Sequence, residues 1–445
     1  MINTDLIIIG AGPGGYECAV KAAQAGLKVT IIEKGKVGGT CLNEGCIPTK
    51  CLCRSAEVLE YARDAGQFGI SLSESQPDFA RIIERKNAVV AQLGNGILTL
   101  LKNPDIELVQ GVARFVDSHT VSVNGESYHA PNIIIATGSV TKFLPIEGAH
   151  AKGVITSTEM LELSQIPQRL CVIGGGVIGL EFAAIFNTLG SKVTVVEFCK
   201  EILPKFDSEI VKRLRLSLKK KGITFKTGAA VKAIHERATD LEVVYEEKGK
   251  EESTTADIVL MAVGRAANTA ALNLDDVGIA YTRQGIQVDS NMRTNVQGIY
   301  AVGDVNGLCQ LAHAATFQSY RALNDILGRT DGINLDIIPS AVFTRPELAM
   351  VGLTEDECKA EGKDYQVYKS FYRANGKALA MNETEGLVKV ITDASGYILG
   401  AHILGEHAAD LIHEAAAFMQ TRATIQQMRD MVHAHPSLSE LFAAL

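Results

Sequence analysis

The sequence has no excess of positive charge: 43 lysines and arginines stand against 51 aspartates and glutamates, a net charge of −8. A phosphate backbone or an anionic membrane surface finds no electrostatic footprint here, so nucleic acid is not an expected partner. Prolines are few, 11 against 41 glycines, and 47% of the residues are hydrophobic, which excludes collagen-like and wholly disordered classes. No run approaches the ~20 apolar residues that span a bilayer. The most apolar stretch, Leu170 to Phe186, is broken by Gly174, Gly175, Gly176, Gly179 and Glu181, and the short run Leu6–Ile9 follows Asp5 rather than a basic segment. No membrane association and a cytoplasmic, reducing location are therefore expected. The nine cysteines do not form a secreted disulfide framework either, being odd in number, with Cys41, Cys46, Cys51 and Cys53 clustered and the rest scattered. At 445 residues the chain exceeds one core and predicts about three domains.

What is present is a repeat. Leu6–Ile9 runs into Gly10-Ala11-Gly12-Pro13-Gly14-Gly15, an alanine-rich helix follows, and Val29–Ile32 ends at Glu33. Downstream, Leu170–Ile173 runs into Gly174-Gly175-Gly176-Val177-Ile178-Gly179, a helix follows, and Val193–Val196 ends at Glu197. From first glycine to acid is 23 residues in both copies. One such glycine pattern often serves only packing, but two in strand–turn–helix–strand context, each closing on a glutamate, point to dinucleotides. The glycines Gly10, Gly12, Gly15 and Gly174, Gly176, Gly179 let backbone approach a pyrophosphate, whose charge is favoured by helix N-terminal N–H groups. A carboxylate at the end of the second strand accepts from ribose hydroxyls and repels a 2′-phosphate. Glu197 is followed by Phe198-Cys199-Lys200, with no arginine nearby, so NAD is expected at the second site.

Glu246 to Glu251 lies between Leu241–Tyr245 and Ile258–Val263 and reads as a solvated hairpin turn. The basic stretch Lys212 to Lys221 has Ile210, Leu214 and Leu218 at four-residue spacing, a domain helix with a solvated face rather than a membrane contact. His407, Asp410 and Glu414 share a helical face that reads as solvated polar surface before it reads as a metal site, and no metal is expected. From Pro339 onward, short strands followed by helices suggest an α+β domain.

The segment Gly38-Gly39-Thr40-Cys41-Leu42-Asn43-Glu44-Gly45-Cys46-Ile47-Pro48-Thr49-Lys50 admits three readings. A metal or iron–sulfur site would recruit Cys51 and Cys53, but the spacing matches neither zinc nor common ferredoxin patterns. Inert thiols are the general expectation for cysteine and apply to Cys18, Cys51, Cys53, Cys171, Cys199, Cys309 and Cys358. The third reading is a redox disulfide between Cys41 and Cys46. Pro48 suits the first turn of a helix, which places Cys46 where the positive helix end stabilises a thiolate.

This segment resembles the active-site disulfide of the FAD-dependent pyridine nucleotide–disulfide oxidoreductases. Other segments resemble that family in order: Ile133–Gly138 its chain-crossing ATG motif, Ile299–Asp304 the strand whose aspartate meets the flavin ribityl chain, Leu311-Ala312-His313 the helix start at the flavin pyrimidine edge, and His433–Glu440 the catalytic histidine–glutamate segment. The resemblance implies an α/β protein with two Rossmann-like FAD- and NAD-binding domains and an α+β C-terminal dimerisation domain. The implied boundaries are residues 1–145 and 269–335 for the FAD domain, 146–268 for the NAD domain and 336–445 for the interface domain.

The implied catalytic residues are Cys46 as flavin-proximal thiolate, Cys41 as exchange thiol, His435 as base and Glu440 as its orienting carboxylate. His433 stays ambiguous, and His119, His129, His150, His235 and His402 read as structural. Gly10, Gly12, Gly15, Glu33, Lys50, Thr137, Gly138, Asp304 and Ala312 are implied FAD contacts, and Gly174, Gly176, Gly179, Glu181, Glu197 and Gly264 NAD contacts. Lys50 and Glu181 are implied as an ion pair beside the flavin. The expected reaction is oxidation of a protein-bound dihydrolipoyl group by NAD, in a homodimer with a shared active site. The expected partner is the lipoyl domain of an acyltransferase or the glycine cleavage H protein. Glutathione- and mercuric-type reductases are the alternative within the family, and a non-catalytic subunit of a multienzyme complex is the alternative outside it. Glu197 without arginines and the absence of cysteine after Cys358 speak against the first, and retention of Cys41, Cys46, His435 and Glu440 against the second. Two segments depart from the family pattern, Gly264–Asn268 and Ala314–Gln318.

Overall fold

Short runs rich in isoleucine and valine form strands that bury both faces, the mark of a parallel sheet covered on each side. Leu6–Ile9, Val29–Glu33 and Asn132–Ile135 are of this kind. In the computed structural model, which describes all 445 residues, they belong to a five-stranded parallel sheet in the order Ile299–Ala301, Asn132–Ile135, Leu6–Ile9, Val29–Glu33, Ile106–Gln110. Helix Pro13–Gln24 follows the first glycine loop with proline in its first turn, where its missing N–H costs nothing. It packs along helix Ala312–Ile326 through small residues. A second sheet of four strands, Ile2–Asn3, Glu126–His129, Thr120–Val123 and Arg114–Asp117, completes this unit, made of residues 1–51, 81–142 and 264–335.

Residues 52–80, 143–263 and 336–445 form the other unit. Its parallel sheet has the order Val154–Ile155, Ile258–Met261, Arg169–Ile173, Lys192–Glu197, Thr224–Thr227. Glycine-loop strand, next strand and the strand that crosses back occupy the same places in both sheets, which makes these two Rossmann-like folds. Gly10 and Gly174 stand 164 positions apart at the ends of equivalent strands.

An antiparallel three-stranded ladder follows, Ala229–Glu236, Leu241–Glu247 and Lys250–Ala256. The turn between its last two strands is therefore only Lys248-Gly249, both at positive φ (53° and 75°), the backbone a two-residue hairpin needs. The charged stretch 246–251 is mostly strand, and Ile258–Met261 pairs in the parallel sheet instead. Helix Ser208–Lys220 buries Ile210, Val211, Leu214 and Leu218 and turns its lysines to solvent. No helix of the chain is long and apolar enough to cross a membrane.

Residues from Ser340 onward build an antiparallel sheet, Ser340–Val342, Leu348–Gly352, Ile398–Leu404, Leu387–Thr392, Gln366–Phe371. Helix Ala408–Gln420 covers it through Leu411, Ile412 and Ala415. This is the α+β C-terminal domain.

Candidate active site

The first glycine loop and the cysteine segment are built against each other. The Gly38 N–H donates to Ala11 O at 2.7 Å, which ties the segment after Glu33 to the loop before helix Pro13–Gln24. Gly39 has φ 58°, and a Cβ there would meet the Gly12 Cα at 2.7 Å, so only glycine lets the two backbones touch. From this contact starts helix Gly39–Glu44, carrying Cys41, and after Gly45 helix Cys46–Asp64 begins. Its first turn closes with Thr49 N–H donating to Gly45 O at 3.1 Å, and Pro48 lies within that turn.

Cys41 and Cys46 are both thiols, in side-chain hydrogen-bond contact. That bond is the main cause holding the Cys41 thiol far above its usual range; burial adds to it and the Lys50 ammonium opposes it. A dithiol pair sharing one hydrogen bond at a helix start is a geometry for disulfide exchange. Cys18, Cys51, Cys171 and Cys358 are buried elsewhere.

Glu33 closes the first repeat. Its Oε2 accepts from Ala11 N–H and its Oε1 from Gly35 N–H, both at 2.7 Å. Glu197 repeats this, accepting from Gly175 N–H at 2.5 Å and Cys199 N–H at 2.6 Å. Each carboxylate thus fastens the loop ahead of it and is held at the sheet edge where a ribose would lie. Gly15 and Gly179 pack so close to the carbonyls of Gly10 and Gly174 that a Cβ would sit 1.8 and 2.1 Å from them. Both following helices begin at a glycine without a side-chain cap, Gly12 and Gly176, leaving their first N–H groups for an anion.

Thr137 and Gly138 follow strand Asn132–Ile135, and the Thr137 hydroxyl donates to Asn268 O at 2.8 Å while Asn268 N–H donates to Gly138 O at 2.9 Å. Gly264 opens the short ladder Arg265–Ala267 with Ser139–Thr141. Here lies a network that the sequence alone does not disclose. Arg265 donates from Nε to Ser139 Oγ at 2.7 Å and from Nη2 to Ser139 O at 2.8 Å, and Ser139 Oγ donates to Asp304 Oδ2 at 2.5 Å. Burial lowers the Arg265 guanidinium, while Asp304 and Glu44 hold its charge. Asp304 sits in the single turn Gly303–Asn306, and Ala312 is the first residue of helix Ala312–Ile326. The only sequence signal for Arg265 is its place in the departing segment Gly264–Asn268.

At the C-terminal end, His435 Nδ1 lies 3.0 Å from Glu440 Oε1. Glu440 Oε2 accepts the Ser437 N–H at 2.9 Å, and this bond first, then His435, holds its carboxyl below the usual range. The Glu440 carboxylate is thereby fixed on the Nδ1 side of the His435 ring, and Nε2 takes no part in that bond. His433, two residues earlier, has a largely covered side chain and pairs with Glu414 instead, Nε2 to Oε1 at 2.6 Å. This takes Glu414 out of the group His407, Asp410 and Glu414, and His407 Nδ1 is 3.9 Å from Asp410. No set of three metal-ligating side chains comes together anywhere in the chain. Glu181 is buried and accepts from Phe343 N–H at 3.0 Å.

Residues 4–319 match the family described as pyridine nucleotide-disulphide oxidoreductase, and residues 338–445 match its dimerisation domain. The chain belongs to this family. Among curated relatives of this oxidoreductase, a dihydrolipoyl dehydrogenase of Geobacillus stearothermophilus is 41% identical over 99% of the chain and 95% of its own length. The mitochondrial dihydrolipoyl dehydrogenase of Pisum sativum is 40% identical over 98% of the chain and 90% of its own. A solved structure titled as the HOCl-induced flavoprotein disulfide reductase RclA of Escherichia coli superposes with a TM-score of 0.89 at 33% identity, covering 99% of each chain.

The residues of this oxidoreductase fit a dinucleotide in each glycine loop. A Cβ on Gly176 would meet nothing within 4 Å, so the space before the second helix is open. Gly12 has only the Gly39 Cα near its own, at 3.9 Å from where a Cβ would be, which leaves a cradle walled on one side by the cysteine segment.

Proposed function

We propose that the chain oxidises protein-bound dihydrolipoyl groups with NAD, the activity for which its dihydrolipoyl dehydrogenase relatives are named, using FAD in the first glycine loop and NAD in the second. The carrying observation is the cysteine pair itself: Cys41 and Cys46 in contact at a helix start that is stitched, through Gly38 and Gly39, to the first nucleotide cradle. Gly10, Gly12, Gly15, Glu33, Thr137, Gly138, Asp304 and Ala312 would hold FAD, with Lys50 beside it, and Gly174, Gly176, Gly179, Glu197 and Gly264 would hold NAD, with Glu181 near its nicotinamide end. When bound, the flavin supplies the two-electron carrier between the cysteine pair and the nicotinamide.

The dithiol half-reaction belongs to the chain's own side chains. His435 Nε2 takes the proton of one substrate thiol, and Glu440 at Nδ1 supports the resulting imidazolium. The substrate thiolate attacks Cys41 Sγ of the oxidised pair; a substrate–Cys41 disulfide forms, the Cys41–Cys46 bond breaks, and Cys46 leaves as thiolate. The second substrate thiol then attacks the first substrate sulfur in that mixed disulfide, and its proton passes by way of His435 to the departing Cys41, which leaves as a thiol. The substrate leaves as a closed disulfide. Two electrons have moved from substrate sulfur to the cysteine pair.

The dimerisation domain supports a homodimer. In our reading each cysteine pair is completed by His435 of the partner subunit. Mixing Cys46→Ala with His435→Ala subunits restores part of the activity if the site is shared; no restoration contradicts it. The dithiol donor is the lipoyl domain of an acyltransferase or a glycine cleavage H protein, in the cytoplasm. The reading is tested by assaying dihydrolipoamide with NAD beside glutathione disulfide with NADPH. The first pair is expected to dominate, and dominance of the second overturns both the substrate and the role of Glu197.

A further inference from the structure

The segment from Met431 to Ser439 has no regular structure, lying between helix Ile425–Asp430 and the last helix, Glu440–Ala443. His435 stands in its middle with its side chain 79% exposed, held by one hydrogen bond to a residue of the same segment's edge. A bond between His435 and Glu440 orients the ring relative to Glu440, but it does not fasten the segment to the domain. That fastening comes from elsewhere. Val432 is exposed, whereas the next residue, His433, has a side chain only 4% exposed and reaches Glu414 on helix Ala408–Gln420. Beyond His435, Asn375 donates from Nδ2 to Ser437 O at 3.0 Å, and Leu438 is buried in the core of the C-terminal domain. The stretch is thus pinned on both sides of the base, and on the N-terminal side the pin is His433.

The chemistry of the pin is specific. Nε2 of His433 faces the Glu414 carboxylate at 2.6 Å, while Nδ1 is buried with no hydrogen-bond partner in the chain. The arrangement that leaves no buried N–H unpaired puts the proton on Nε2, donated to Glu414, and a bare lone pair on Nδ1. A charge-assisted bond of this length fixes a direction as well as a distance. We infer that His433 and Glu414 are a positioning pair for the dithiol reaction, setting the place of His435 two residues away. The inference rests on the role given to His435 above.

Glutamine at 433 can place an amide N–H where Nε2 stands, and asparagine, one carbon shorter, cannot. The experiment compares wild type with His433→Ala, His433→Asn, His433→Gln, Glu414→Ala and the double alanine variant. Two rates are measured on the FAD-loaded dimer: dihydrolipoamide oxidation by NAD, and NADH-driven reduction of a soluble dye, which needs no thiol base. Displacing a base by about 1 Å costs up to about a hundredfold. The ratio of dithiol rate to dye rate should fall roughly 10- to 100-fold in His433→Ala, His433→Asn and Glu414→Ala and recover in His433→Gln. The double variant should be no worse than either single one. Equal losses in both rates, no loss in either, or fully additive losses would overturn the pair. His435→Gln serves as control: undiminished dithiol rate in that variant overturns the role of His435 itself, separately from the pair.

Discussion

The two glycine-loop repeats share a skeleton and differ at one junction. In each, a loop after the second strand donates a backbone N–H to the same carbonyl of the glycine turn: Gly38 to Ala11 O at 2.7 Å, Leu203 to Gly175 O at 2.9 Å. In the second repeat the residue is a buried leucine at φ 45°, and its side chain fills the core. In the first, two glycines in succession, at φ 92° and 58°, let the backbone itself press on Gly12. The next helix differs accordingly: in the first repeat it bears Cys41, and in the second it is Ser208–Lys220, anchored by Asp207. The same fold therefore makes a cradle with a cysteine pair against its wall and a cradle that stays open at Gly176. In the proposed reaction the first cradle holds FAD beside the cysteines and the second holds NAD.

The largest test removes what only the first repeat has. Cys46→Ser should lower dihydrolipoamide oxidation by roughly 10⁴-fold or more, on the scale of losing a nucleophile, while NAD binding by the second repeat, followed by titration calorimetry, is unchanged. Lost NAD binding would show that the repeats are not independent.

Next in size is the anchor peculiar to the second repeat. Lys389, 1% exposed, reaches Asp207 at 2.8 Å and Glu355 at 2.6 Å. Lys389→Met strands buried Asp207 and should cost about 3–5 kcal/mol in urea unfolding. Burial pushes the Glu355 carboxyl up, but the hydrogen bonds from Lys359 and Lys389 outweigh it and hold it down to about 2, against an ordinary 4.5. A depressed carboxyl stabilises the fold fully above its unfolded value and loses that contribution as pH falls through the folded one. Wild-type stability should therefore decline between about pH 4.5 and 2, and less steeply in Lys389→Met; parallel curves would contradict this.

Gly39→Ala meets both the positive φ and the 2.7 Å contact, so retention of FAD on dialysis should weaken roughly a hundredfold, about 2.7 kcal/mol. Leu203→Ala should leave FAD retention untouched; if the two variants behave alike, the junction is not what separates the repeats. Smallest is Glu197→Gln. The KM for NAD should rise roughly tenfold with kcat held, from weaker bonds to ribose and to the Gly175 and Cys199 N–H groups. Unchanged discrimination between NAD and NADP would deny Glu197 its role.

Legibility in the sequence divides by distance along the chain. The glycine turns, their closing glutamates, the pair Cys41 and Cys46, and the pair His435 and Glu440 are patterns within 25 residues or so, where local geometry dictates spacing. Arg265 reaches Ser139 across 126 positions and Lys389 reaches Asp207 across 182, and no periodicity encodes either. Helical spacing, which is visible in sequence, groups Glu414 with His407; its true partner, His433, lies beyond the helix and is fixed by tertiary packing. Charge blurs the hairpin at Lys248-Gly249, since glutamates on an exposed ladder look like loop.

Cys41 and Cys46 are central because they are the pair that exchanges electrons with the substrate in the proposed reaction. Air-oxidised, FAD-loaded protein treated anaerobically with dihydrolipoamide, alkylated and digested should gain label at Cys41 and Cys46 alone, and addition of NAD before alkylation should erase that gain. Label gained at any other cysteine, or a gain that NAD does not reverse, would contradict that role.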